Sequence, residues 1–198
     1  MIKLPPHGAR QRIGVFGGSF NPAHEGHRQV ALYALKRLKL DWIWWLVSPQ
    51  NPLKSATETA AYAKRLALTR KLAKHPRFIV TDIESQIGST YTAQTIKALK
   101  KFSRANFVWI MGADSLATFH RWHNWVGIVK SVPIAVLARP GYSVKALDSR
   151  AAIRFHNQRL AMAQPSALAS KPAPHWTFIS MPLRKESSTA IRARRKVI

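Results

Sequence analysis

The chain of 198 residues contains no cysteine, which excludes a disulfide scaffold, a thiolate metal site and a cysteine nucleophile. Acidic residues are scarce as well. Eight Asp and Glu stand against 32 Lys and Arg, for a formal net charge of +24 and a sequence pI of about 11.6. A field of that sign attracts polyanions or anionic substrates; it describes partners rather than fold. No apolar run approaches the roughly 18 residues of a membrane span, and the opening MIKLPPHGARQR has no apolar stretch of the signal-peptide kind. What is present suffices for a core: 46% of residues are hydrophobic and 20% charged, a balance that disfavours intrinsic disorder. The length fits one domain. Together these features predict a soluble, cytoplasmic, single globular domain over residues 12–198 behind a basic tail at 1–11.

Hydrophobic periodicity orders the elements. Ile13 to Phe16 reads as a buried strand feeding the turn Gly17-Gly18, and residues 25–39 place Val30, Ala31, Ala34, Leu35 and Leu38 at helical spacing. Trp42 to Val47 is continuously apolar and too short for a helix, so it is predicted as a central strand. A loop over 49–55 precedes a helix over 58–74, whose Lys and Arg face is read as solvated. Strands follow at 78–80, 107–111, 132–138 and 176–181, with helices over 91–102 and 146–163 and a surface loop over 164–174. Apolar strands alternating with helices predict an α/β fold: a doubly wound parallel sheet with helices on both faces, in a single domain.

Ligands of such sheets bind outside the carboxyl ends of the strands, and nearly every polar cluster of the chain falls there. Gly17 to His27 follows the first strand, Pro49 to Lys54 the second, Thr90-Tyr91-Thr92 the third and Gly112-Ala113-Asp114 the fourth. Arg139 follows the fifth, and Ser187 to Arg192 the last. The first segment is neither the dinucleotide fingerprint G-x-G-x-x-G nor a Walker A loop. It offers two glycines that permit close backbone approach, then His24 and His27 on one face of a first helical turn, where an anion is favoured. The pattern HxxH is cheap in itself, since His120 and His123 repeat it. Taken alone it reads more often as a surface pair or half of a metal site.

The full string GGSFNPAHEGH resembles the HxGH nucleotidyltransferase superfamily, and its form GSFNPxHxGH is similar to the nicotinate-mononucleotide adenylyltransferases of bacterial type. Further landmarks follow in the family's order: a Pro-containing loop ending in Lys54, Tyr91-Thr92-Ala93-Gln94-Thr95, Gly112-x-Asp114-Ser115, Trp122, Ala138-Arg139-Pro140-Gly141 and Ser187-Ser188-Thr189-x-Ile191-Arg192. The match spans roughly residues 12 to 195. Leu53 stands where relatives commonly carry a His before the basic residue, and many relatives continue for a further helical segment after the last motif.

This resemblance implies a Rossmann-like sheet and transfer of the adenylyl group of ATP to nicotinate mononucleotide, giving nicotinate adenine dinucleotide and pyrophosphate in NAD biosynthesis. The catalytic residues it implies are His24, His27, Lys54 and Arg192, with His27 on the transferring group. ATP is expected at Gly17, Gly18, Ser19, Phe20, His24, His27, Gly112, Asp114, Ser188, Thr189 and Arg192. The mononucleotide is expected at Ser19, Phe20, Lys54, Thr90, Tyr91, Thr92, Trp122 and Arg139, with Trp122 stacked on the pyridine ring. The expected cofactor is Mg²⁺, arriving with the ATP phosphates rather than in a protein cage. The partners are the two nucleotides, with no membrane and no functional nucleic acid; monomer and homodimer stay open. Two other readings compete: another HxGH enzyme such as the pantetheine-phosphate adenylyltransferase, and a basic nucleic-acid-binding module suggested by the charge and seven tryptophans.

Overall fold

The computed structural model describes residues 2–50, 59–138, 142–161, 163–182, 188 and 191–192. Its first half runs β1 (Arg12–Gly18), α1 (Glu25–Arg37), β2 (Trp42–Val47), α2 (Tyr62–Leu72), β3 (Phe78–Thr81), α3 (Ile83–Gln86) and α4 (Thr92–Phe102). The second half runs β4 (Asn106–Gly112), α5 (Ala113–Thr118), α6 (Trp125–Ser131), β5 (Ile134–Leu137), α7 (Ser143–Leu147), α8 (Arg150–Arg154), β6 (Arg159–Leu160) and β7 (Trp176–Ile179). The strands form one sheet in the order β3-β2-β1-β4-β5-β7-β6, and every pairing is parallel. The winding reverses between β1 and β4, so the crevice beyond Gly18 and Gly112 is the place for a ligand.

Strand alternation divides the core into two layers. On β4, Phe107, Trp109 and Met111 join Ile96 and Leu99 of α4, Leu116 of α5 and Ile128 of α6 on one face. Val108 and Ile110 point the other way, to Val30, Ala31, Ala34 and Leu35 of α1. The neighbours Trp44 and Trp45 split between the two layers, and both are fully buried. This is the parallel sheet with two covered faces that the apolar strands predict.

Three local expectations are overturned. The helix expected over 146–163 is instead α7, α8, a 3₁₀ turn at His156–Gln158 and the edge strand β6. Ser149 starts α8 afresh, its side chain accepting from Ala152 N at 3.3 Å. The carbonyl of Phe155 is then taken by the indole Nε1 of Trp176 at 2.7 Å, which favours ending the helix there. The surface loop expected over 164–174 contains a 3₁₀ helix at Pro165–Ser170, with Pro165, Leu168 and Ala169 buried against the α1 side of the sheet. The helix expected from residue 58 has its first described turn at Tyr62, and its basic face is not wholly solvated: Arg65 is 1% exposed. Near the amino terminus, Ile2 and Leu4 pack on the core, while His7 meets the Trp44 ring edge-on at 5.1 Å and bonds Ser103 Oγ at 2.7 Å.

Candidate active site

The site begins where β1 leaves the sheet. A Cβ on Gly17 would sit 2.6 Å from Cη2 of Trp109, and one on Gly18 would sit 3.0 Å from the Phe20 ring. The packing of Trp109 therefore favours glycine at 17, whatever backbone surface it offers a ligand, while a methyl at 18 would ask the Phe20 ring to give by a few tenths of an ångström. Phe20 takes a left-handed φ of 43° and turns its ring inward, 2% exposed, onto Phe16 and Trp45. Its side chain is core, and only its backbone can face a nucleotide.

That ring is the platform for His27, which stands on it edge-on at 5.1 Å. His24 is the N-cap of α1, in extended conformation and 5% exposed. The two imidazoles lie 3.8 Å apart between centroids. The amide of His24 donates to Nδ1 of His27 at 3.2 Å. In the neutral ring that bond places the hydrogen on Nε2, the atom on the far side. The pair thus sits at a helix start, where open amides and the dipole favour anionic oxygens.

The chain returns to the same loop near its other end. Ser188 Oγ donates to Pro22 O at 3.0 Å, and Arg192 Nη1 donates to Asn21 O at 2.7 Å. Arg192 is half-buried. Two of the residues expected at the ATP phosphates are therefore brought beside His24.

Behind these residues lies a group that sequence reading missed. Arg65 of α2 donates from Nε to Ala60 O at 2.9 Å, from Nη1 to Ser19 O and Ser48 O at 2.7 Å each, and from Nη2 to Pro49 O. No carboxylate takes part in these bonds. Burial pulls its pKa below the ordinary arginine value, the nearby Tyr62 opposing that shift. Charge-assisted bonds contribute about 1.5–3 kcal/mol each, which offsets the several kcal/mol needed to take a guanidinium out of water. The signal was positional: Tyr62, Arg65, Leu66 and Thr69 of α2 and its C-cap Ala73 form an inward stripe, which the polar Arg65 and Thr69 hide.

Glu84, at 3% exposure, is a second missed group. Burial pushes its carboxyl pKa up to about 7, against the opposing pull of hydrogen bonds from Thr95 and Ser48. Thr95 Oγ1 lies 3.1 Å from Glu84 Oε1 and 3.4 Å from Tyr91 O. Its single hydrogen cannot serve both acceptors fully, and a protonated Glu84 removes the conflict by donating to Thr95. Glu84 so ties the end of β2 to the first turn of α4.

The residues expected at the base gather at that turn. Tyr91 is the N-cap of α4, its amide held by Ser89 Oγ at 3.0 Å, and the amides of Gln94 and Thr95 return to Tyr91 O. Thr92 and Ala93 open the helix and have no intrahelical partner for their amides. The Tyr91 ring, 41% exposed, lies 4.7 Å from that of His123, beside half-buried Trp122, which meets Phe119 edge-on at 5.2 Å. Thr90, Tyr91, Thr92 and the Trp122 segment are thus neighbours. Gly112 is the N-cap of α5 and Asp114 lies in its first turn, half-buried, where the helix dipole favours a carboxylate. Lys54, Arg139 and Thr189 lie outside the described residues. Among the described residues no group of three or more His, Cys, Asp or Glu is placed to hold a metal ion.

The chain is similar to known proteins over most of its length. The cytidylyltransferase-like family model matches residues 15–194. A protein of Caulobacter sp. (strain K31) described as "Probable nicotinate-nucleotide adenylyltransferase" is 52% identical over 92% of this chain and 97% of its own length. The protein of Methylorubrum extorquens (strain PA1) with the same description is 50% identical over 92% of this chain and 100% of its own. Among solved structures, the Plasmodium falciparum nicotinic acid mononucleotide adenylyltransferase complexed with NaAD superposes with a TM-score of 0.69, covering 93% of this chain and 83% of that one. At 16% identity that likeness speaks for the fold alone.

Proposed function

The chain belongs to the cytidylyltransferase-like family, and from that premise we propose that it is a nicotinate-nucleotide adenylyltransferase. It transfers the adenylyl group of ATP to nicotinate mononucleotide in NAD biosynthesis. A 5′-phosphate oxygen of the mononucleotide bonds to the α-phosphorus, the bond from that phosphorus to the β-bridging oxygen breaks, and pyrophosphate leaves. The observation that carries this reading is the closely packed pair His24 and His27, seated at a helix start in the crevice where the sheet reverses.

The nucleophile belongs to the substrate, so the protein's work is positioning and charge stabilisation. His27 donates from Nε2 to the transferring phosphoryl group, and His24 holds the neighbouring phosphate oxygens. Arg192 and Lys54 supply cationic contacts to the triphosphate, and Ser188 and Thr189 supply hydroxyl donors beside them. Gly17, Gly18, Ser19 and the backbone of Phe20 form the floor under both nucleotides. Gly112 and Asp114 take ribose hydroxyls. The first turn of α4, from Thr92, offers amides to the base carboxylate with Thr90 and Tyr91 beside it, the Tyr91 amide itself being held by Ser89 Oγ; Trp122 stacks on the pyridine ring, and Arg139 faces the mononucleotide phosphate.

The donors around the phosphate end are imidazoles, hydroxyls and cations, a set unsuited to caging a hard cation that wants oxygen ligands. In this reading Mg²⁺ would arrive with ATP and would supply charge neutralisation at the polyphosphate. Among the described residues no helix is long and apolar enough to cross a membrane. The test is incubation of pure protein with ATP, Mg²⁺ and each mononucleotide in turn. Dinucleotide and pyrophosphate appearing together with nicotinate mononucleotide support the assignment. Failure to form them, with turnover of phosphopantetheine instead, would reject it.

A further inference from the structure

We propose that Arg65 is a positioning residue for adenylyl transfer: its buried guanidinium sets the spacing between the first nucleotide loop and the exit of β2. This rests on the adenylyl-transfer reading above and names a residue outside the family motifs quoted for it.

The argument starts from what the guanidinium touches. Its acceptors come from three separate stretches of chain: Ser19 after β1, Ser48 and Pro49 after β2, and Ala60 before α2. Pro49 and Ala60 flank the segment that contains Lys54, so both feet of that segment are held on one side chain. A second strut doubles the connection, with Ala60 N donating to Asn21 Oδ1 at 3.2 Å. Asn21 also accepts from Arg192 through its carbonyl, which closes a circuit around the phosphate end of the site.

Arg65 stands in a helix stripe with Tyr62, Leu66 and Ala73. Its acceptors are backbone carbonyls, which an apolar replacement would leave unpaired. What an apolar residue cannot do is hold three backbones at fixed distances. The planar fork of arginine does so, and the point charge of lysine reaches fewer acceptors at once. The guanidinium carbon also lies over the Tyr62 ring, 5.5 Å from its centroid, a cation–π contact within the same helix. The role is indirect, since Arg65 touches carbonyls that face the site from behind.

The test compares wild type with Arg65→Lys, reading kcat, both KM values, the circular dichroism spectrum and the thermal midpoint. Misplacement on the order of 1 Å costs up to about 10²-fold in rate. We expect folded Arg65→Lys to lose about tenfold or more in kcat, with smaller changes in either KM. A folded variant with a lower midpoint but wild-type kcat would make Arg65 merely structural and overturn the proposal. If the variant does not fold, hydrogen exchange on the wild type decides instead. Peptides covering 17–22, 47–50 and 59–63 should open together and slowly, and fast independent exchange in any of them would overturn the clamp. A wild type that makes no dinucleotide refutes the adenylyl-transfer reading itself, whereas an active wild type with an unaltered Arg65→Lys refutes only the role of Arg65.

Discussion

The amide of His24 and the Nδ1 atom of His27 share a hydrogen bond of 3.2 Å, so one histidine of the pair orients the other. That bond occupies Nδ1 and, in the neutral ring, places the hydrogen on Nε2, the atom to which the proposed function gives the phosphoryl contact.

The first prediction follows from that division. His27→Ala lowers kcat by about 10²-fold, the usual scale for one preorganised donor, with little change in stability because the ring is only half-buried. His27→Gln, whose amide nitrogen reaches the Nε2 position, retains more activity than His27→Asn, whose amide sits near Nδ1. Steady-state rates of the three variants check this, and the reverse order for Gln and Asn would move the catalytic atom to Nδ1.

Glu84 makes stability depend on pH. Its folded pKa of about 7 lies above the ordinary 4.5, so the native state holds a proton that the unfolded chain has released. The resulting stabilisation is complete below about pH 4.5 and is lost as pH rises through 7, an effect of about 3 kcal/mol. Glu84→Gln, neutral at every pH, flattens that slope. Urea midpoints across the interval measure it, and an unchanged slope would assign the dependence elsewhere.

Gly17→Ala is expected to destabilise by about 1–3 kcal/mol, the cost of overpacking a filled core. The added methyl meets the Trp109 indole at 2.6 Å. Trimming the indole in Gly17→Ala/Trp109→Leu relieves the clash, so the double variant loses less than the two single losses added together. Chemical denaturation of all four proteins provides the cycle.

Choice of base is the fourth prediction. In the proposed site the amides of Thr92 and Ala93, which have no intrahelical partner, meet the two carboxylate oxygens, whereas a nicotinamide would present an –NH₂ to one of them. An unpaired donor costs about 1–3 kcal/mol, so kcat/KM favours nicotinate mononucleotide by about tenfold or more. Trp122→Ala weakens both substrates and largely keeps their ratio, since both rings present a π-face. Equal kcat/KM values for the two mononucleotides would remove the amide account.

How far the sequence could be read differs by residue. Trp42 to Val47 is legible to its ends, because a fully buried parallel strand must be apolar on both faces. The division of 146–163 was not legible, because it depends on Trp176 capturing the carbonyl of Phe155 across 21 positions of sequence. His24 and His27 stand out through their motif, although the bond that orients His27 is set by backbone conformation at the N-cap. Arg65 was hidden by its type: a charged residue among Lys and Arg reads as solvated, and only the three-dimensional arrangement shows carbonyls where water was expected.

The bond from Arg192 to Asn21 spans 171 positions and that from Ser188 to Pro22 spans 166. Contacts across so many positions repay their loop-closure entropy late in folding. The sheet can therefore collapse before the loop with both histidines is braced, and the crevice is completed after the body that carries it.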